Sequence, residues 1–228
     1  MEQMDIGGIP AVLYGDKSSR VWLFVHGQGG NKEEAGAFAE IAVPAGYQVL
    51  GIDLPGHGAR IGGAGFDPWT AVPELERVYE YIAGRWQSFS LRTNSIGAYF
   101  SMLAFEDKGA DKALFVSPIV DMERLILDMM TWAGVTEEKL RREGEIATDF
   151  GQVLSWNYLE WVRRHPVSGW HTPTAILWAG GDNMTSRSTV TGFAEAHSAA
   201  LTVYEPGEHW FHTPKQLAAL KCWERENV

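Results

Sequence analysis

The stretch Ser88-Phe89-Ser90-Leu91-Arg92-Thr93-Asn94-Ser95-Ile96-Gly97 decides how the rest of the chain is read. Ser88–Leu91 reads as a brief strand, and Ser95–Phe105 follows as a helix with no spacer between them. Ser95 therefore stands on a direct strand-to-helix turn, with Thr93 two residues before it and Gly97 two after. A side chain carried on such a turn needs a strained backbone, so its neighbours two residues away have to be small. The helix that starts beneath the hydroxyl offers free N–H groups, which favour negative charge. Taken alone, the same pattern is also that of a serine capping a helix.

Outward from this turn, short β-rich runs alternate with amphipathic stretches. Met1–Ile6 and Ile9–Tyr14 flank Gly7-Gly8 as a hairpin. Arg20–Val25 is a continuous apolar strand, Lys32–Ala42 a helix and Tyr47–Ile52 the next strand. A Gly-rich loop runs through Gly65, and Glu74–Trp86 places Leu75, Val78, Ile82 and Trp86 on one helical face. Lys112–Val116 is a strand ending at Ser117-Pro118. Asp121–Gly169 then breaks the alternation and reads as helix upon helix. It resumes with a strand at Thr174–Trp178, a helix at Ser186–His197, a strand at Leu201–Tyr204 and a helix at Pro214–Trp223. The pattern predicts an α/β fold, a mostly parallel twisted sheet with helices on both faces. Residues 1–120 and 170–228 form its core, and 121–169 form a helical insertion at the carboxyl edge of the strands, where open α/β sheets bind ligands.

Composition narrows the functional classes. The chain has 228 residues, 45% hydrophobic and 21% charged, which suits one globular domain with an insertion. Nineteen Lys and Arg face 29 Asp and Glu, and the net charge of −10 argues against nucleic-acid binding. The single Cys222 excludes an internal disulfide framework and a cysteine zinc cluster. The first residues lack the basic region of a signal peptide, and no apolar run approaches the ~18 residues of a membrane span. A soluble, cytoplasmic protein is expected, with no metal or organic cofactor. The oligomeric state is not legible.

The ends of the last two strands carry the residues a serine nucleophile requires, a base and a carboxylate that orients it. Thr174–Trp178 runs into Ala179-Gly180-Gly181-Asp182, and Leu201–Tyr204 into Glu205-Pro206-Gly207-Glu208-His209. The order Ser95, Asp182, His209 falls on one sheet edge. An oxyanion needs two backbone donors. The Gly-rich run Val25-His26-Gly27-Gln28-Gly29-Gly30 points to the amides of Gln28 and Ile96. That run is not the G-x-G-x-x-G of dinucleotide binding.

These residues, with Asp53-Leu54-Pro55-Gly56-His57-Gly58, make the chain resemble the α/β-hydrolase fold superfamily over nearly its whole length. The resemblance implies Ser95, Asp182 and His209 as a catalytic triad, Gln28 and Ile96 as the oxyanion hole, and 121–169 as a cap. Thr93 stands where the family usually has Gly. Several residues compete for roles. His212 is an alternative base, and Asp128 and Glu123 are alternative acids. His57 and Asp53 read as loop and turn residues, and Arg141-Arg142 and Arg163-Arg164 as solvated helix faces. His209 and His212 lack a third ligand at metal spacing. Trp132, Trp156 and Trp161, with Trp170 beside them and Trp210 next to His209, are candidates for an aromatic acyl site. The implied activity is hydrolysis of a small or medium carboxylic ester, a small-molecule acyl substrate. Thioester, lipid or carbon–carbon bond hydrolysis is the alternative, and a non-catalytic receptor on the same scaffold the third reading.

Overall fold

A computed structural model describes residues 1–63 and 65–228; position 64 of the Gly-rich loop lies outside the described residues. The described chain divides into two compact units, 1–120 with 169–228, and 121–168.

The first unit is built on an eight-stranded sheet. Its strands are β1 (Glu2–Asp5), β2 (Pro10–Tyr14), β3 (Arg20–Val25), β4 (Gln48–Ile52), β5 (Ser88–Asn94), β6 (Ala113–Val116), β9 (Thr174–Ala179) and β10 (Ala200–Tyr204). Their order in the sheet is β1-β2-β4-β3-β5-β6-β9-β10. β1 and β2 pair antiparallel, β2 joins β4 antiparallel, and every later pairing is parallel. Val21 to Val25 and all of β4 and β6 are buried. Parallel strands covered on both faces need apolar residues at every position, which is why these runs show no alternation.

Helices pack on both faces of this sheet. Trp22 and Phe24 of β3 pack with Phe38 and Ala39 of α1 (Ala35–Ala42) and with Trp223 of α8 (Pro214–Asn227). On the opposite face Phe89 of β5 meets Tyr79 of α2 (Pro68–Ala83) and Phe105 of α3 (Ile96–Phe105), with ring centroids 5.5 and 5.9 Å apart. α7 (Arg187–Ala196) lies between β9 and β10 in the chain. Among the described residues no helix is long and apolar enough to cross a membrane.

Several elements differ from the sequence reading, and the strand expected over Ser88–Leu91 runs on to Asn94, directly before Ser95. The helix expected from Lys32 opens with a single 3-10 turn, Lys32–Glu34, because Lys32 is tied to Asp53 by both its backbone and its side chain. α2 begins six residues before Glu74. Asp67 caps it by accepting from the Thr70 N–H, Pro68 suits its first turn, and the helix then runs through Pro73. The insertion is not helix upon helix. Between α4 (Met122–Trp132), α5 (Glu137–Glu143) and α6 (Trp156–Arg164) lies an antiparallel hairpin of β7 (Glu145–Ala147) and β8 (Val153–Ser155). Strands of three residues are too short to show a two-residue period. Within this unit Arg163 of α6 bonds Glu123 of α4 at 2.7 Å and both carboxylate oxygens of Glu137 on α5.

One buried ion pair fixes the start of α1 to the end of β4. Asp53 is fully buried, and its carboxylate accepts from the Lys32 N–H at 2.8 Å, Lys32 Nζ at 2.9 Å and the Ala59 N–H at 2.9 Å. Gly58, at φ 54°, passes so close that a Cβ there would fall 2.1 Å from this carboxylate. Burial opposes the charge on Asp53, but the Lys32 ammonium and the two amides outweigh it and hold the carboxyl below its usual range. Asp53→Ala should lower the unfolding free energy by about 3 kcal/mol, read as a shifted urea midpoint. In the wild type this contribution is complete above the unfolded carboxyl pKa of about 4 and is lost as pH falls through the lower folded value.

Candidate active site

Ser95 adopts φ 50° and ψ −122°, a left-handed conformation rare for a residue with a Cβ. Its peptide groups are clamped. The Ser95 N–H donates to the Val116 carbonyl at 3.0 Å, and the Ser95 carbonyl accepts from the N–H groups of Ala98 and Ile119, both at 3.1 Å. A Cβ at Gly97 would lie 2.5 Å from the His26 carbonyl oxygen and 2.8 Å from that of Val25, so only glycine fits there. Thr93 is not in a positive-φ conformation. It is a regular β5 residue paired with Val25 and Phe115, so a branched side chain is accommodated.

Two loops converge on the Ser95 hydroxyl. His209 Nε2 lies 2.8 Å from Ser95 Oγ, and His209 Nδ1 lies 2.7 Å from Asp182 Oδ2. Asp182 has a side chain with 0% exposure, against 20% for His209. The other Asp182 oxygen accepts from the N–H groups of Met184 at 2.8 Å and Thr185 at 3.0 Å. A carboxylate accepts only, so Nδ1 carries the proton and Nε2 is left to accept from the serine O–H. Glycines let the two loops touch. The Gly180 N–H donates to the Tyr204 carbonyl and the Gly181 N–H to the Gly207 carbonyl, both at 2.9 Å. A Cβ on Gly180 would sit 2.6 Å from the Glu205 carbonyl oxygen.

The loop after β3 lies against the same serine. A Cβ on Gly27 would be 3.1 Å from the Ser95 Cβ. Gln28 follows Gly27, and Ile96 opens α3, where N–H groups have no acceptor within the helix. His26 pins this loop from beneath. It is fully buried, its Nδ1 donates to the Gly27 carbonyl at 2.7 Å, and its Nε2 accepts from the Leu54 N–H at 3.0 Å. Both ring nitrogens are engaged by the neutral form, and burial pushes the pKa down to about 4.

The competing candidates have other partners. His212 Nδ1 donates to the Trp210 carbonyl at 2.7 Å, and its ring stacks on Trp210 at 5.0 Å. His57 bonds the Pro55 carbonyl and packs between His26 and Phe66. Asp128 is bonded by Arg124, and Glu123 by Arg163. Arg163 is thus a bridge between helices, not a solvated face. Trp210 follows His209 and is 75% exposed. Trp170 is fully buried and donates to Thr174 Oγ1. In the second unit Trp132 meets Phe150, the Arg141 guanidinium lies over Trp156, and Trp161 stacks on His165. Among the described residues no group of three His, Cys, Asp or Glu could hold a metal ion.

No protein-family model matches the chain, and no curated protein matches it by sequence. Solved structures do match it. Est1E from Butyrivibrio proteoclasticus with ferulic acid bound superposes with TM-score 0.78 at 18% identity, covering 99% of this chain and 97% of that one. Alpha/beta hydrolase domain-containing protein 10 from mouse gives 0.78 at 12% identity, with 99% and 96% covered. The thioesterase domain from the curacin biosynthetic pathway gives 0.62 at 16% identity, with 98% of each chain covered. The chain has the α/β-hydrolase fold. At these identities the likeness establishes the α/β-hydrolase architecture alone.

Sequence reasoning quoted His26 within a Gly-rich motif and gave it no role of its own. The signal is its place directly after the buried apolar run Val21–Val25, where an imidazole has to be neutral and doubly bonded. Because His26 is neutral when folded and protonates near 6.5 when unfolded, the unfolded state takes up the extra proton. The His26 contribution to stability should therefore fall by about 1.4 kcal/mol per unit as the pH drops from 6.5 to about 4, and change no further below that. Urea titrations across this range should show the slope in the wild type and a flatter profile in His26→Gln.

Proposed function

We propose that this chain is a serine hydrolase that cleaves small or medium carboxylic esters through Ser95, His209 and Asp182. The observation that carries the proposal is the unbroken hydrogen-bond path from the buried Asp182 carboxylate through the His209 ring to the Ser95 hydroxyl. A serine kept at φ 50° solely to cap a helix would be strained for no return, and Ser95 makes no side-chain cap bond to α3.

In this mechanism Ser95 Oγ attacks the ester carbonyl carbon while its proton passes to His209 Nε2. Asp182 holds the tautomer and stabilises the imidazolium. The carbonyl oxygen takes up the charge facing the amides of Gln28 and Ile96. The imidazolium then returns its proton to the leaving alkoxide, which departs as the alcohol and leaves an acyl-serine. Water, deprotonated by His209, attacks the acyl carbon; the acid is released and Ser95 regains its proton. The side chain of Trp210, next to His209 in the chain, is proposed to contact the apolar part of the substrate. The similarity to Est1E and its ferulic acid complex makes an aromatic acyl group a sensible first substrate to try.

A fluorophosphonate probe should label the folded protein at Ser95, and a folded protein that stays unlabelled would sink the proposal. Ser95→Ala should lower kcat by about 10⁴-fold or more with an unchanged melting curve, and Asp182→Asn by about 10⁴-fold. A panel of aryl esters and acyl thioesters of rising chain length separates an esterase from a thioesterase by kcat/KM.

A further inference from the structure

Arg92 occupies the middle of a central parallel strand, a position where an apolar residue would pack without losing hydration. It is 2% exposed, and its guanidinium lies 5.3 Å from the Phe24 ring and 5.9 Å from that of Phe38. Its hydrogen bonds run to the terminal helix on one side and to the two residues before Ser95 on the other. Nε donates to Glu224 Oε1 of α8 at 2.7 Å, and one terminal nitrogen donates to the Thr93 carbonyl at 3.0 Å and to Asn94 Oδ1 at 2.6 Å. Asn94 passes the connection on, donating from Nδ2 to Glu34 Oε2 at 3.4 Å. The other Glu34 oxygen rests where a Cβ on Gly30 would come within 2.6 Å of it, against the backbone of the loop that carries Gln28. Glu34 as a residue is exposed, but its carboxyl loses water in this position, and that raises its pKa.

A chain of polar side chains, Glu224–Arg92–Asn94–Glu34, thus runs from the terminal helix, past the turn that bears Ser95, to the loop that bears Gln28. We infer that Arg92 and Asn94 are positioning residues, which hold the Ser95 turn at a set distance from the Gln28 loop and so align hydroxyl and oxyanion donors on one reacting carbon. This rests on the hydrolase reading above. The inference explains why a charge is kept beneath the elbow: a guanidinium delivers several bonds in fixed directions, which an apolar side chain cannot do.

Asn94→Ala tests it, because that variant leaves the buried Arg92–Glu224 pair intact. The expected result is a kcat about 10- to 100-fold lower at unchanged KM, with fluorophosphonate labelling slowed by the same factor. Faster hydrogen exchange at the Ser95 and Ala98 amides, which donate to the Val116 and Ser95 carbonyls, should accompany the loss in Asn94→Ala, and this reads the placement without any turnover. If Asn94→Ala only lowers the melting temperature, with kcat, labelling rate and exchange as in the wild type, the inference is overturned. Wild-type protein that is never labelled would refute the hydrolase reading instead, and the exchange measurement would still decide the positioning role.

Discussion

The peptide at Ser95 is held at φ 50° against a cost of order 1–3 kcal/mol, and the surroundings that hold it there determine much of the first unit. Gly97 must lie in contact with the carbonyls of Val25 and His26, so α3 crosses directly over the end of β3. Gly27 lies against the Ser95 Cβ, so a side chain there would push the Ser95 turn by a few tenths of an ångström. The strained turn is therefore over-determined by close backbone contacts on both sides. That is the condition under which strain persists in a folded chain. An elbow of this kind points the hydroxyl away from the sheet, to where two other strand ends can reach it.

Charges within the first unit follow the same logic. Asp53 with Lys32 and Arg92 with Glu224 are buried ion pairs that tie the sheet to neighbouring helical segments, and the buried Asp182 carboxylate accepts from the His209 ring. Buried ion pairs are poor sources of net stability, since desolvation offsets their attraction. They are good sources of direction, because each oxygen and each N–H has one acceptable partner geometry. His26 extends this to a neutral group. Its two nitrogens connect the Gly27 carbonyl and the Leu54 amide, and burial keeps it from taking a proton.

How legible this was depended on the range of the interaction. The strands β3 and β9 and the order Ser95, Asp182, His209 were readable because continuous apolar runs and short Gly-rich strand ends are local signals. The hairpin of β7 and β8 was not, since strands of three residues leave no period to count. The apolar face of α2 marks only its later turns, whereas its start is set by the Asp67 cap and by Pro68 in the first turn. Arg92 and Glu224 stand 132 residues apart, and nothing in either neighbourhood announces the other. Lys32 looked like an ordinary residue at a helix start, because its partner Asp53 follows the next strand.

The segment after β6 shows how Ser95 and Asp182 are kept in register although 87 residues separate them, from 95 to 182. Ser117 takes φ 43°, a second left-handed serine one strand away from the first. That turn leaves the Val116 carbonyl facing the Ser95 N–H and the Ile119 N–H facing the Ser95 carbonyl. Between them the Pro118 carbonyl accepts from Thr185 Oγ1 at 2.9 Å, and the Thr185 N–H donates to Asp182 Oδ1 at 3.0 Å. Residues 116–119 thus bond the strained elbow on one side and the loop of the carboxylate on the other. A shift of either loop would have to break hydrogen bonds in the buried interior, so the 2.7 and 2.8 Å contacts of His209 rest on a framework far stiffer than the half-exposed histidine loop alone.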